Sequence, residues 1–255
     1  MKRKRLRHVD GLVMVLLWLS VGMVLTGGKR VLFIGDSITD GGWGNSGGSA
    51  KCSKERNHGD MNHIYGHSYM MLCAAHYQGE CPDSDYVFFN RGISGNTLYD
   101  MAARWQEDAL DLQPDVVSIL IGTNDIHRFL EKKDADGEVS FDYERWEMCY
   151  RRLVEELKVW NPKVKVVLGA PFVAKEGWVG ETPTYELRAE MVKKLAVIVK
   201  KMSEDDGAVY LPYDEMFAEL VKTEPRKSYW IWDGIHPTPA GHQKMADLWI
   251  STVKL

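Results

Sequence analysis

The stretch Arg30-Val-Leu-Phe-Ile34-Gly35-Asp36-Ser37 decides how the fold is interpreted. Its first part is a short run that is apolar on both faces, which is typical of a parallel strand covered by helices. Gly35 ends the run, and Ser37 follows where a helix would begin. We therefore expect Ser37 at the carboxyl end of a strand, where open α/β sheets bind their ligands. Ser37 could also be a simple helix N-cap, which is a common role for serine.

Similar apolar runs recur along the chain and alternate with helical patterns. The predicted strands are Arg30–Ile34, Tyr86–Asn90, Asp115–Ile121, Lys163–Gly169 and Ala208–Leu211. The predicted helices are His63–Tyr77, Thr97–Leu112, Asp142–Trp160, Thr184–Ser203, Tyr213–Lys222 and Pro239–Val253. This alternation predicts right-handed crossovers and one doubly wound parallel sheet of the α/β class.

The bulk composition allows one large domain. The chain has 255 residues, 45% of them hydrophobic, and a formal net charge of -4. This length can bury a sizeable core. No basic stripe stands out in the body of the chain, so we do not expect nucleic acid as a partner.

The N-terminus has a different composition. A cationic cluster, Lys2-Arg-Lys-Arg-Leu-Arg7, precedes the uncharged apolar run Gly11–Leu25. This order is typical of a secretory signal peptide, and we assign residues 1–28 to it and residues 29–255 to the folded domain. The alternative is an uncleaved membrane anchor, because the run is near the lower length limit for spanning a bilayer. Either way we expect a secreted or periplasmic domain, or one anchored facing away from the cytoplasm.

The segment Asp233-Gly-Ile-His236 could activate Ser37. A serine nucleophile needs a base within hydrogen-bond reach, and the base needs a group that orients it. Asp233 can accept from one ring nitrogen of His236 while the other nitrogen faces Ser37. A histidine that is merely solvated in a loop is the alternative.

Two further segments follow strands and offer hydrogen-bond donors. They are Asn90-Arg-Gly92-Ile-Ser-Gly95 and Gly122-Thr-Asn124-Asp125. We expect the N–H groups of Ser37 and Gly92 and the amide of Asn124 to form an oxyanion hole. Ordinary turn chemistry would explain the same glycines and asparagine.

In this order of residues the chain resembles the SGNH hydrolases, also called the GDSL esterase/lipase family. The resemblance extends from Gly35-Asp36-Ser37 to Asp233-Gly-Ile-His236, with Ile38 where that family usually has leucine. It implies a flavodoxin-like, three-layer α/β/α sandwich with a five-stranded parallel sheet. It also implies a serine esterase with catalytic Ser37, Asp233 and His236, oxyanion donors on Ser37, Gly92 and Asn124, and no cofactor or metal.

The substrate class is left more open. Tryptophans near the site suit sugar rings, and we identify four candidates: Trp43, Trp178, Trp230 and Trp232. They favour an acetyl esterase acting on O-acetylated carbohydrate, either a polysaccharide or a small molecule. A lysophospholipase or thioesterase is the main alternative, and a non-catalytic carbohydrate-binding protein is a third. For the helical Trp105, Trp160 and Trp249 we expect core positions.

Other sequence patterns are weaker indicators of function. Ser46 lies in a G-x-S-x-G match without the strand before it and helix after it that this motif needs, so we interpret it as loop. His58, His63 and His67 form a small cluster in which His63 and His67 have a spacing that can bind a metal. No H-E-x-x-H pattern is present, so a metallohydrolase is a minor alternative to surface or core-edge histidines. The four cysteines allow a disulfide among Cys52, Cys73 and Cys81, or buried free thiols, with Cys149 the fourth.

Overall fold

A computed structural model of the chain describes residues 28–42, 64–136 and 140–255. One five-stranded, wholly parallel sheet has the order β2-β1-β3-β4-β5. Its strands are β1 (Arg30–Gly35), β2 (Val87–Gly92), β3 (Val116–Leu120), β4 (Lys165–Gly169) and β5 (Val209–Leu211). This confirms the predicted α/β class, and the strand order is the flavodoxin-like one.

The helices occupy the connections between the strands. They are α1 (Ser37–Asp40), α2 (Tyr69–Glu80), α3 (Leu98–Ala103), α4 (Trp105–Asp108), α5 (Thr123–Asp136), α6 (Tyr143–Trp160), α7 (Gly177–Gly180), α8 (Tyr185–Asp206), α9 (Tyr213–Thr223) and α10 (Pro239–Val253). The helix predicted over Thr97–Leu112 is broken into α3, α4 and a 3₁₀ turn. Helix α5 was not predicted, because Gly122-Thr-Asn124-Asp125 resembles a turn.

Alternate residues of β1 enter two separate cores, one on each face of the sheet. Val31 and Phe33 pack with residues of α2, α9 and α10. Leu32 and Ile34 pack with residues of α3, α6 and α8. Because side chains alternate along a strand, a central strand buried on both faces must be apolar throughout. The result is the expected three-layer sandwich.

The helical tryptophans only partly follow the expectation. Trp105 and Trp249 are buried in the core. The prediction for Trp160 was wrong, since this side chain remains 40% exposed. It is the last residue of α6, one turn beyond Leu157, the last buried residue of that helix.

The described residues say little about the N-terminus and the cysteines. Residues 1–27, which hold most of the predicted signal peptide, lie outside them. Within them no helix combines the length and the apolar character needed to cross a bilayer. Cys73, Cys81 and Cys149 are free thiols, and Cys73 is buried, as one of the two alternatives has it. Cys52 lies outside the described residues.

Candidate active site

The turn between β1 and α1 places Ser37 at the edge of the sheet. The Asp36 carboxylate is the N-cap of α1, accepting the Ile38 N–H at 3.0 Å. Asp36 therefore takes the capping role that the sequence left open for Ser37, which is the first helical residue. Its N–H is one of those a helix leaves without an intrahelical acceptor. Burial raises the pKa of Asp36 to about 6.

A hydrogen-bonded chain runs from Ser37 into the protein. Ser37 Oγ lies 2.8 Å from His236 Nε2. His236 Nδ1 lies 2.7 Å from Asp233 Oδ2. The Asp233 side chain is only 4% exposed, against 37% for His236. The structure thus brings together the three residues that the sequence predicted, although 199 positions separate Ser37 from His236.

The loop that carries Asp233 and His236 is held locally. Asp233 Oδ1 accepts the N–H groups of Ile235 at 2.9 Å and of His236 at 2.7 Å. Ile231 and Pro237 form an antiparallel bridge across the loop. These contacts leave the imidazole little freedom, because the same carboxylate orients both its backbone and its ring.

The two ionisable groups of this loop shift each other's titration. Burial would raise the pKa of Asp233, but hydrogen bonds from His236 and Ile235 hold that pKa below its ordinary value. The hydrogen bond to Asp233 raises the pKa of His236 above its ordinary value, against the effect of burial. The carboxylate thus stabilises the imidazolium that a proton transfer from Ser37 would form.

The expected oxyanion donors do not all face the same point. The Gly92 N–H donates to Asn90 Oδ1 at 2.9 Å, so it is already engaged inside the protein. A Cβ on Gly92 would lie 2.2 Å from the Asp40 nitrogen. Gly92 is therefore required for the close approach of α1 to β2. Because its N–H already donates to Asn90, the prediction that this N–H is an oxyanion donor is corrected.

Asn124 lies in the segment that follows β3, as the sequence predicted, and there it lies in the first turn of helix α5, which the sequence did not predict. Its Nδ2 donates to the Asn96 carbonyl at 3.2 Å, which ties it to the loop after β2. Gly95 precedes Asn96 in this loop and has a φ of +78°, a conformation that favours glycine.

Two of the four candidate tryptophans are exposed: Trp232, whose ring lies beside that of His236, and Trp178, whose ring lies 6.1 Å from that of His127. Trp232 is 57% exposed, and its ring centroid lies 6.5 Å from that of His236. Trp178 is 50% exposed and follows Gly177, where a Cβ would lie 2.5 Å from the Trp232 carbonyl oxygen. Trp230 is half-buried, and its ring packs edge-on against Tyr229. Trp43 lies outside the described residues.

Of the other motifs, only His67 lies among the described residues. Ser46, His58 and His63 lie outside the described residues, and His67 is exposed, its N–H bonded to the Gly41 carbonyl. In the part of the chain that the structure describes, no three His, Cys, Asp or Glu side chains are grouped as a metal site would need.

Comparison with known proteins agrees with the fold and shows the family. The sequence profile of the GDSL-like Lipase/Acylhydrolase family matches residues 33–244, and the chain belongs to this family. An acetylxylan esterase from Geobacillus stearothermophilus is 32% identical over 231 residues, 88% of this chain and 93% of the relative. Membership makes the chain a carboxylic ester hydrolase.

Solved structures show the same architecture. A chain from Parabacteroides merdae, described as a GDSL-like lipase, superimposes with a TM-score of 0.74 at 30% identity, covering 88% of this chain and 95% of its own. The crystal structure of the Geobacillus acetylxylan esterase gives a TM-score of 0.71 at 29% identity, covering 90% and 95%.

The sequence did not predict the residues that hydrogen-bond to the segments around the site. Asp125 Oδ1 accepts the Leu98 N–H at 3.1 Å and Trp146 Nε1 at 3.0 Å. Burial raises the pKa of Asp125 to about 7. Arg104 bonds to Asn96 and to the ends of two strands. Asp125 lay within a quoted motif, but Arg104 lies in a predicted helix with no local signal of its role.

Proposed function

We propose that this chain is a serine esterase in which Ser37 is the nucleophile, His236 the general base and Asp233 the residue that orients the base. The observation that carries this is the 2.8 Å contact between Ser37 Oγ and His236 Nε2. A serine hydroxyl is a weak nucleophile until an adjacent base takes its proton. The buried Asp233 keeps the proton of the neutral ring on Nδ1, so Nε2 is free to accept.

The reaction then follows acyl transfer. Ser37 Oγ attacks the ester carbon while its proton passes to His236 Nε2, giving a tetrahedral oxyanion. The imidazolium returns that proton to the departing alcohol as the carbon–oxygen bond breaks, leaving an acyl-serine. A water molecule gives a proton to the same nitrogen as it attacks the acyl carbon. The imidazolium then returns this proton to Ser37 Oγ as the acyl carbon–Oγ bond breaks, which releases the carboxylic acid and free Ser37.

The oxyanion needs hydrogen-bond donors whose bonds become stronger as negative charge develops on it. We assign this role to the Ser37 N–H, the second N–H of the Asn124 amide and the N–H of Gly95. Gly95 replaces Gly92 because the Gly92 N–H already donates to Asn90, whereas Gly95 belongs to the loop that Asn124 contacts.

For the substrate we propose acetyl groups on carbohydrate. The exposed indoles of Trp178 and Trp232 support this, since both offer faces for sugar rings and the Trp232 ring lies next to that of His236. The name of the Geobacillus relative points to the same class. The cationic and apolar N-terminal segments support export, where such polymers are met. Export is tested by recovery of the processed chain outside the cytoplasm, and a full-length chain in the cytoplasm would contradict it.

The catalytic proposal is tested with p-nitrophenyl acetate. We expect Ser37→Ala to abolish hydrolysis, while Ser251→Ala, on the exposed face of α10, keeps the wild-type rate. An unchanged rate in Ser37→Ala would exclude this serine as the nucleophile. Glycan binding without turnover by the wild-type protein would instead favour a binding protein. Activity should survive a chelator.

Acyl-chain length tests the substrate proposal. We expect acetyl esters to be cleaved much faster than octanoyl esters, and acetylated xylo-oligosaccharides to release acetate. Preference for octanoyl esters would indicate a lipid or thioester hydrolase.

A further inference from the structure

The loop between β2 and α3 contacts Asn124 through Asn96. The Asn124 Nδ2 donates one of its two N–H groups to the Asn96 carbonyl. A carbonyl oxygen only accepts hydrogen bonds, so this contact determines that the amide nitrogen, not the amide oxygen, faces the loop. It also sets the amide plane, and thereby the direction of the remaining N–H. The position of the Asn96 backbone therefore controls where Asn124 can donate.

Asn96 is held from its other side by a guanidinium. Arg104 Nε donates to Asn96 Oδ1 at 2.8 Å. The same side chain donates to the Arg91 carbonyl at 2.8 Å and to the Gly35 carbonyl at 3.2 Å. Gly35 ends β1 two residues before Ser37, and Arg91 lies at the end of β2. One rigid group thus joins the strand that leads to Ser37 with the loop that orients Asn124.

The charge of Arg104 is kept in place within the protein. Its side chain is 15% exposed and lies 2.5 Å from the Asp108 carboxylate, which is almost wholly buried. Burial lowers the pKa of Arg104 below its ordinary value, and the hydrogen bond to Asp108 opposes that shift. The guanidinium therefore stays protonated with all of its donors available at neutral pH.

We propose that Arg104 and Asn96 are positioning residues that set the Asn124 amide relative to Ser37 for oxyanion stabilisation. The proposal rests on the esterase mechanism above. Neither residue needs to touch the substrate. They act through the Asn96 carbonyl on the remaining N–H of Asn124. Their loss should therefore weaken stabilisation of the transition state more than it weakens substrate binding.

Asn96→Ala is the sharper perturbation, because it keeps the backbone carbonyl and removes the side-chain amide whose oxygen accepts from Arg104 Nε. We expect kcat for p-nitrophenyl acetate to fall about tenfold with KM changed less than about twofold, as for small misplacements of catalytic groups. Arg104→Lys keeps the charge opposite Asp108 but loses the planar fork, and we expect a similar loss. Gln106→Ala is the matched control, since it deletes an exposed amide on α4 that donates to Asp111. It should leave kcat unchanged.

The decisive measurement is a double-mutant cycle with Asn124. Asn124→Ala alone should lower kcat by about 10²–10³-fold, as loss of an oxyanion donor does. If Asn96 acts through Asn124, adding Asn96→Ala to Asn124→Ala should lower kcat by less than about twofold further. Equal tenfold effects of Asn96→Ala in both backgrounds, or a wild-type kcat in Asn96→Ala, would overturn the positioning role. An Asn124→Ala variant with wild-type kcat would instead contradict the proposed oxyanion hole itself.

Discussion

Replacing Asp233 with asparagine separates the two functions of this carboxylate, since asparagine has nearly the same shape. Asp233 Oδ1 accepts two backbone N–H groups at 2.9 and 2.7 Å, and the amide oxygen of asparagine can keep both. Its NH₂ group would then face His236 Nδ1, where the carboxylate Oδ2 now lies at 2.7 Å. Since that group donates, the ring must carry its proton on Nε2 and can no longer accept from Ser37.

Asp233→Asn should affect activity far more than stability. We expect kcat to fall about 10⁴-fold, the effect of the same change in serine proteases, where the wrong tautomer is the cause. Only one hydrogen bond to a charged group is lost, so the free energy of unfolding should fall by about 1–3 kcal/mol. Asp233→Ala would leave two backbone N–H groups without acceptors at about 1–3 kcal/mol each, and should be clearly less stable.

The assay combines p-nitrophenyl acetate kinetics with urea unfolding of wild type, Asp233→Asn and Asp233→Ala. A folded Asp233→Asn variant that keeps more than about a tenth of the wild-type kcat would refute the orienting role of Asp233. Equal stability of the asparagine and alanine variants would refute the argument about the backbone N–H groups.

Three further outcomes follow from the titrating groups and the exposed aromatics. Asp233 raises the pKa of His236, and only the neutral ring can accept a proton from Ser37. We therefore expect kcat/KM to rise with pH through an apparent pKa above the ordinary histidine value of 6.5. An apparent pKa below that ordinary value would contradict this expectation. Burial raises the pKa of Asp125 to about 7, so the folded chain retains a proton there that the unfolded chain releases, and stability should fall as pH rises from about 4 to 7. Asp125→Asn should flatten that fall by a few kcal/mol in urea unfolding, and an unchanged pH slope would show that other groups cause it. Trp232→Ala and Trp178→Ala should raise KM for acetylated xylo-oligosaccharides while leaving p-nitrophenyl acetate hydrolysis near wild type; parallel losses on both substrates would argue against sugar binding by these rings.

Much of the fold was visible in the sequence because its signals are local. Each predicted strand agrees with an observed strand to within two residues at either end, since a buried parallel strand is apolar throughout. Helix α10 was predicted at its observed bounds, because Thr238 caps it and Pro239 opens it. The failures were also local in origin. Gly122 and Asn124 resemble turn residues, and this hid the start of α5.

The order of residues along the chain was enough to predict the proposed nucleophile, base and orienting carboxylate. Asp233 and His236 lie three positions apart in one loop, and Ser37 follows a strand at the same edge of the sheet. Only the tertiary structure decided which donors could face that serine. Gly92 and Gly95 look equivalent in sequence, yet the Gly92 N–H is bound by Asn90. The tertiary structure likewise placed the Arg104 guanidinium, which donates to backbone carbonyls of two strands. The direction of a hydrogen bond depends on where distant segments meet, and no local pattern encodes that.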